Sequence, residues 1–382
     1  EVEMCGEDDM ARLEELMEKV DLSWSVLDDW DFNTVDKSEQ QRNVMCTCLL
    51  MAYSGAGTGG EGESGAPNMF QRCSSFVEVV SRTYADPKTV PYHNWVHAAD
   101  VAFSMFRCLT MVKAEQFLAL HERFAMMAAG MGHDISHPGY NNPFLVETSH
   151  ELAIRYNDHS PLEHMHCSRF FEIANTPGSE IFANLSKAQM RDVRTTCVES
   201  ILHTDNQCHF NMVTELQMSY QTHSDIFDVA LDLFHLNPEE FPTKETLEYY
   251  CNPDMKKLLR VFFLHFSDIS NSMKPWKLCR YWAELVIEEL FLQGDREKAL
   301  GIPVQPLNDR DTVNAPHAQL GFIEFFVAPM VAISVQLMAP LSICEERMHD
   351  NLDRWLQRWS NTSPDPEELA KVMDRILRMR QV

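Results

Sequence analysis

Positive charge is scarce in this sequence: 32 lysines and arginines face 57 acidic residues among 382, a formal net charge of −25. A protein that neutralises nucleic-acid phosphates needs a basic face, so no nucleic-acid partner is expected. An anionic small substrate is still allowed, because bound metal cations can dominate the charge of a site locally. Disulfide-type spacing is also missing. The eleven cysteines are an odd number, and Cys46-Thr47-Cys48 lacks the two-residue gap of a zinc knuckle or redox pair. Buried free thiols in a reducing compartment are expected instead. No signal-peptide pattern opens the chain, which gives the expectation of a cytoplasmic protein, attached to membranes only through parts outside this segment. The chain begins at Glu1, so an excised segment is expected, with a regulatory region ahead of it. An uninterrupted apolar span is absent too. Phe322 to Leu341 comes nearest, but Glu324, Pro329, Gln336 and Pro340 break it. A spanning helix needs about 20 nearly unbroken apolar residues, so this stretch is expected to be a buried core helix and no transmembrane span is expected.

Alternating strand patterns are almost absent, and helical periodicity dominates. Ala11 to Val20, Phe70 to Thr83, Ala98 to Val112, Ala114 to Ala129, Lys187 to His203 and Trp276 to Gln293 are predicted helices. Pro366 to Met379 is a closing helix, with Asp365 as its cap, Pro366 at its first position, and Glu367 and Glu368 near its positive end. Ser54 to Pro67, rich in glycine, reads as a flexible loop. No repeat at solenoid periods is present. The expectation is a single all-α domain of many helices: an N-terminal extension over 1–19, the functional domain over 20–358, and a C-terminal helix and tail over 359–382.

Four stretches carry chemistry: Tyr92-His93-Asn94-Trp95-Val96-His97-Ala98, Gly132-His133-Asp134-Ile135-Ser136-His137-Pro138, Glu163 with His166, and His265-Phe266-Ser267-Asp268. Alone, each is weak. Histidines four apart, such as His93 and His97, meet on one helix face and are ordinarily plain surface. Their setting changes that reading. Phe124 to Gly132 has a buried-helix composition and delivers His133 and Asp134 to the interior, while Val261 to Leu264 does the same for Asp268. Buried charge needs a partner or a metal, and the four stretches together point to a metal centre.

These motifs resemble those of the class I cyclic-nucleotide phosphodiesterases, whose H-N-x-x-H-A and H-D-x-x-H-P patterns match here without gaps, within a likeness running from about Val20 to about Arg358. The resemblance implies an all-helical fold in three subdomains around a deep pocket, and a cyclic nucleotide as substrate. It implies that His97, His133, Asp134 and Asp268 bind a first metal. Two imidazoles and two carboxylates with open positions suit Zn²⁺. Asp134 would bridge to a second metal held otherwise by water, which suits Mg²⁺ or Mn²⁺. His137, Asn142, Glu163, His166 and Thr204 would hold those waters. The implied mechanism is attack on phosphorus by a hydroxide bridging the two metals, with His93 as general acid for the leaving 3′-oxygen. The family commonly has Glu-Asn-His-His where this chain has Glu163-His164-Met165-His166, a departure at His164 that keeps the spacing of Glu163 and His166.

The resemblance also places a purine site. Tyr92 belongs to its substrate-binding set, and Gln319 with Phe322 match the family's glutamine and aromatic pair, an amide for the base edge and a ring for its face. Val286 and Leu290 match the opposite jaw, Leu290 standing where the family often has an aromatic residue. On sequence alone, Val286, Leu290 and Phe322 are equally plain core. Asn271 stands where an asparagine accompanies adenine preference in the family, which favours cAMP without excluding cGMP. Two rivals share parts of the pattern: another His-Asp metal phosphohydrolase acting on nucleotides, and a silent cyclic-nucleotide-binding domain. Neither needs the full set of Tyr92-His93-Asn94, the ligands, and the Gln319–Phe322 pair. A homodimer is left open.

Overall fold

The computed structural model describes residues 7–55 and 67–380, and among them there is no β-strand. Helix starts follow side-chain chemistry. Ser38 with Gln41, Asn68 with Gln71 and Ser186 with Gln189 form reciprocal capping boxes, each satisfying two otherwise orphaned N–H groups. The closing helix spans Pro366–Met379 as predicted, with Asp365 accepting from the N–H groups of Glu367 and Glu368. Met69–Thr83 and Lys187–Leu202 fall within one residue of their predicted bounds. The predicted Ala114–Ala129 helix is instead a 3₁₀ turn, Ala114–Gln116, followed by Leu120–Gly132. The break has a local cause: the Glu122 carboxylate accepts from the Ala119 N–H at 2.8 Å and restarts the helix there. The glycine-rich part of the predicted Ser54–Pro67 loop lies outside the described residues.

The contacts gather the chain into two units where the resemblance implied three subdomains. One comprises the described part of Glu1–Met212 with Leu247–Asp268, the other Val213–Thr246 with the described part of Ile269–Val382. At the heart of the first, Leu120–Gly132 packs against Trp95–Met111, Lys187–Leu202 and Pro253–Asp268. Its residues Phe124 to Ala129 and Met131 are all buried, so this helix has no polar face to offer water. The Glu7–Glu18 helix, inside the expected extension, belongs to this unit and buries Leu13 and Met17.

In the second unit, Ser342–Ser360 packs against Trp276–Leu300, Ala315–Phe322 and Ala328–Leu337. The apolar stretch expected to be a buried core helix is a helical run, Ala315–Leu337, and it is half buried. By length and composition it could cross a membrane; it is the only such helix among the described residues. One face, with Leu320, Ile323, Val327, Met330 and Val331, is core, whereas Phe322 and Phe325 are exposed. Ile323–Val327 widens into a π-helical turn just ahead of Pro329, which has no N–H with which to continue a regular ladder.

Candidate metal centre

Three helix ends and a tight turn build the centre in the first unit. The Trp95–Met111 helix is fixed at its start by Asn94, almost wholly buried. Its amide oxygen accepts from the Val96 N–H at 2.9 Å, and its amide nitrogen donates to the carbonyls of Val90 and Pro91 at 3.0 and 2.8 Å. His93 therefore precedes the helix rather than sharing its face with His97. The two rings nonetheless come within 5.9 Å, centroid to centroid, because the cap folds the chain back at that point. Tyr92 packs its ring against both, at 4.7 Å from His93 and 4.5 Å from His97.

His133 follows directly on Leu120–Gly132, and the closeness of this helix end to its neighbours demands Gly132, where a Cβ would lie 2.6 Å from the Phe170 ring. Asp134 is held from behind by Tyr84, whose hydroxyl accepts from the Asp134 N–H at 3.3 Å and donates to the Met131 carbonyl at 2.9 Å. The chain then turns through Ser136 and Gly139, both at positive φ, and the Gly139 N–H donates to His137 Nδ1 at 3.0 Å. That bond leaves the His137 proton on Nε2. Asp268 ends the Pro253–Asp268 helix.

The ligand-type atoms of His97, His133, Asp134 and Asp268 all lie within 4.8 Å of one another. His97 Nε2 is 3.0 Å from Asp268 Oδ1 and 3.7 Å from Asp134 Oδ2, and His133 Nε2 is 3.1 Å from Asp134 Oδ2 and 3.3 Å from Asp268 Oδ1. His133 donates its Nδ1 proton to the Gly130 carbonyl at 2.9 Å, so in the neutral ring the lone pair is on Nε2, which faces the carboxylates. That nitrogen is buried and makes no directed hydrogen bond. An imidazole lone pair turned toward two carboxylates is what a divalent cation would satisfy, and the donor set fits one. Without the cation, burial opposes charge on His133, but Asp134 and Asp268 outweigh it and hold the imidazole well above its ordinary value. Burial also opposes charge on Asp134 and Asp268, yet His133 holds both below the usual carboxylate range.

A second group, Asp134 with His137 and His166, has Asp134 in common with the first. His166 donates from Nδ1 to the Ile135 carbonyl at 2.8 Å and aims Nε2 at Asp134 Oδ1, 3.6 Å away; that nitrogen too is buried without a hydrogen bond. Burial pushes the His166 imidazole down to about 4, so it is a neutral ring. His93 stacks on His137 at 4.0 Å. Behind them, Asn142 donates to Glu163 Oε2 at 2.9 Å and to Asp205 Oδ2 at 3.3 Å, while Ser160 donates to the same Asp205 oxygen at 2.7 Å. Burial first, and the Asp205 charge second, push the Glu163 carboxyl up to about 7. Thr204, half-buried, turns its hydroxyl proton to the Ile201 carbonyl at 2.8 Å.

Sequence reasoning missed Tyr84 and Asp205. Asp205 could have been found, since His203-Thr204-Asp205 directly follows the Lys187–Leu202 helix as His133-Asp134 follows Leu120–Gly132; Tyr84 gave no signal. His265, part of a motif stretch, instead meets His209 ring to ring, Nε2 to Nδ1 at 2.9 Å. Tyr92 apart, the residues expected at a purine site lie in the second unit. Gln319 is buried and Phe322 exposed on Ala315–Phe322, Val286 and Leu290 are half-buried on Trp276–Leu300, and Asn271 sits in the 3₁₀ turn Ser270–Met273. Asn351 ties that turn down by donating to the carbonyls of Ser272 and Lys274 at 2.9 and 2.7 Å.

Such a frame defines a class of all-α proteins built around a mixed His/Asp metal centre. A family model described as 3′5′-cyclic nucleotide phosphodiesterase matches residues 92–347, well over half the chain. The chain belongs to this 3′,5′-cyclic nucleotide phosphodiesterase family. Similar relatives include the human high affinity cGMP-specific 3′,5′-cyclic phosphodiesterase 9A, 30% identical over 76% of this chain and 43% of its own length. Another is the Caenorhabditis elegans probable 3′,5′-cyclic-AMP phosphodiesterase pde-4, 31% identical over 74% of this chain and 39% of its own. The chain thus spans about two-fifths of the length of these relatives. The crystal structure of the phosphodiesterase domain of Salpingoeca rosetta rhodopsin phosphodiesterase shares the fold, with a TM-score of 0.74 and 24% identity over 91% of this chain and 95% of that one.

Proposed function

We propose that the chain hydrolyses 3′,5′-cyclic nucleotides to 5′-monophosphates, with His97, His133, Asp134 and Asp268 holding a zinc ion and Asp134 sharing a magnesium or manganese ion with ordered water. The observation that carries this reading is the convergence of those four side chains on one buried point. Bound there, divalent cations supply Lewis-acid polarisation of the phosphoryl group and lower the pKa of water toward neutrality. The remaining work falls to the chain. Asp134 and Asp268 place negative charge where cations are to be held, and the Gly130 carbonyl fixes the His133 tautomer that points a lone pair inward. His137 and His166, with Asn142, Glu163 and Asp205 behind them, orient water on the far side of Asp134. His93, stacked on His137 and braced by Tyr92, delivers a proton to the departing 3′-oxygen.

Gln319 and Phe322 are proposed to receive the purine, opposite Val286 and Leu290. Relatives' names divide between cGMP and cAMP. Among the described residues no hydrogen bond fixes the Gln319 amide, so it can turn to meet either base edge. We read Asn271 as tilting the balance to cAMP, with cGMP also accepted. The test is initial rates on cAMP and cGMP, following 5′-AMP and 5′-GMP by chromatography with added Mg²⁺ or Mn²⁺. Hydrolysis of both, faster for cAMP, is expected; turnover of nucleoside triphosphates in preference to either would favour another His-Asp phosphohydrolase. A reducing, cytoplasmic setting is proposed on the buried free thiols among the described residues.

A further inference from the structure

The C-terminal Pro366–Met379 helix grips the Gln319-bearing run at two points. Near the start of that run, His317 stacks on Trp359 at 4.5 Å, and its Nε2 lies 3.7 Å from Glu368 Oε1. Farther on, Glu324 in the π-helical turn receives a two-pronged contact from Arg375: Nε to Oε1 at 2.5 Å and Nη2 to Oε2 at 3.1 Å. From His317 to Glu324 and from Glu368 to Arg375 both chains advance in the same direction by the same seven residues, so the two segments run parallel and are pinned at both ends. Gln319 and Phe322 lie between the pins. Val372 and Ile376, both buried, anchor the C-terminal helix between and beside them.

The second pin is the consequential one. The Glu324 side chain is only 8% exposed, so loss of its guanidinium partner leaves a nearly buried carboxylate uncompensated. The turn has somewhere to go: a cavity of about 460 Å³ adjoins it, lined by Tyr220, Glu324, Pro329 and Met379 among others. Phe326 within the turn stacks on Phe322 at 5.4 Å, so movement of the turn reaches the proposed purine-stacking ring directly. Arg375 touches neither Gln319 nor Phe322 in this chain of contacts; it acts through the turn.

We propose that Arg375, through Glu324, is a positioning residue for purine recognition, and that the C-terminal helix sets the affinity for the cyclic nucleotide. This rests on the reading of Gln319 and Phe322 as the base site, and the test separates the two. KM and kcat are measured for cAMP and cGMP, and rates for bis(p-nitrophenyl) phosphate, a diester without a purine. Arg375→Ala is expected to raise KM for both nucleotides roughly three- to tenfold, in the range of coupling through packed networks, with kcat nearly unchanged. The nitrophenyl diester should be cleaved at the original rate, and Arg375→Lys should restore much of the nucleotide KM. An unchanged nucleotide KM in a folded Arg375→Ala protein, or an equal loss on the purine-free diester, overturns the proposal. Gln319→Ala and Phe322→Ala run alongside: if neither raises KM, the base site itself is misassigned, whatever Arg375 does. Should Arg375→Ala melt below the assay temperature, Glu324→Gln removes the buried charge while keeping its shape. It is expected to raise the nucleotide KM by a smaller factor and leave the diester rate alone; no change in its nucleotide KM likewise overturns the proposal.

Discussion

The two units hold their proposed chemistry in opposite ways. In the first, the proposed ligands are polar side chains carried into the interior by helix ends, three of them fixed by a named neighbour: His133 by the Gly130 carbonyl, Asp134 by Tyr84, and His97 by its Asn94-capped helix, while Asp268 ends the Pro253–Asp268 helix. In the second, the Gln319 side-chain amide makes no hydrogen bond among the described residues, Phe322 is exposed, and Val286 and Leu290 are half-buried apolar residues like many others. Charge in the interior is costly and has to be explained, whereas an apolar ring at a surface does not. Catalytic groups therefore announce themselves physically, and base-reading groups do not.

If that contrast is right, damage to the first unit should abolish turnover, while damage to the second should only weaken and re-weight binding. Asp134→Asn removes a carboxylate shared by both proposed metal sites. It should lower kcat/KM by roughly 10³-fold or more, the several kcal/mol that Lewis-acid stabilisation supplies, as read from steady-state rates. His93→Ala should lower kcat by about 10²–10⁴-fold with bound metal unchanged. A nitrophenyl phosphodiester, whose leaving group needs no proton, should lose far less; an equal loss would make His93 a structural residue.

Smaller effects sharpen the contrast. Phe322→Ala removes stacking open to any purine, so cAMP and cGMP should weaken together by about 1–3 kcal/mol in kcat/KM. Asn271→Ala should instead move the cAMP-to-cGMP ratio by weakening cAMP, and an unmoved ratio would leave plain dual specificity. Smallest is a pH effect on stability. Burial and Asp205 raise the Glu163 carboxyl from its ordinary 4.5 to about 7 in the folded protein. Between those values the folded state holds a proton that the unfolded state has released, so this group's contribution is full below about 4.5 and is lost as pH rises through about 7. Glu163→Gln should flatten that decline in urea titrations of metal-free protein at several pH values. A wild-type slope in the variant would place the raised group elsewhere.

Much of this contrast was legible before any coordinates. The oily stretch ending in His133 and Asp134 reads as a buried helix with ligands at its tip because composition alone forbids it a wet face. What composition could not show was where helices break: Ala119 carries no cap of its own, and only the Glu122 carboxylate reaching back reveals the restart. His93 was misplaced for a related reason. A four-residue spacing suggests a shared helix face, but Asn94 is a local N-cap, bonded to Val90, Pro91 and Val96, and it starts the helix only after His93, which spacing alone does not weigh. Tyr84 acts through a contact across a long sequence separation, which no local pattern records, whereas Asp205 stood just past a helix end and was overlooked. In the second unit, Gln319 and Phe322 were visible only through family resemblance. The exposure of Phe322 and the grip of the C-terminal helix on its run emerge only from the packing.

The central claim is that one buried His/Asp centre holds the metal that drives cyclic-nucleotide hydrolysis. Stripping the protein with a chelator, then restoring Zn²⁺ and Mg²⁺ or Mn²⁺ stepwise while counting bound metal and 5′-AMP formed, tests it most directly. The account predicts negligible turnover in the stripped, still folded protein and a return of activity in proportion to metal bound. Full hydrolysis of cAMP by the metal-free protein would contradict it.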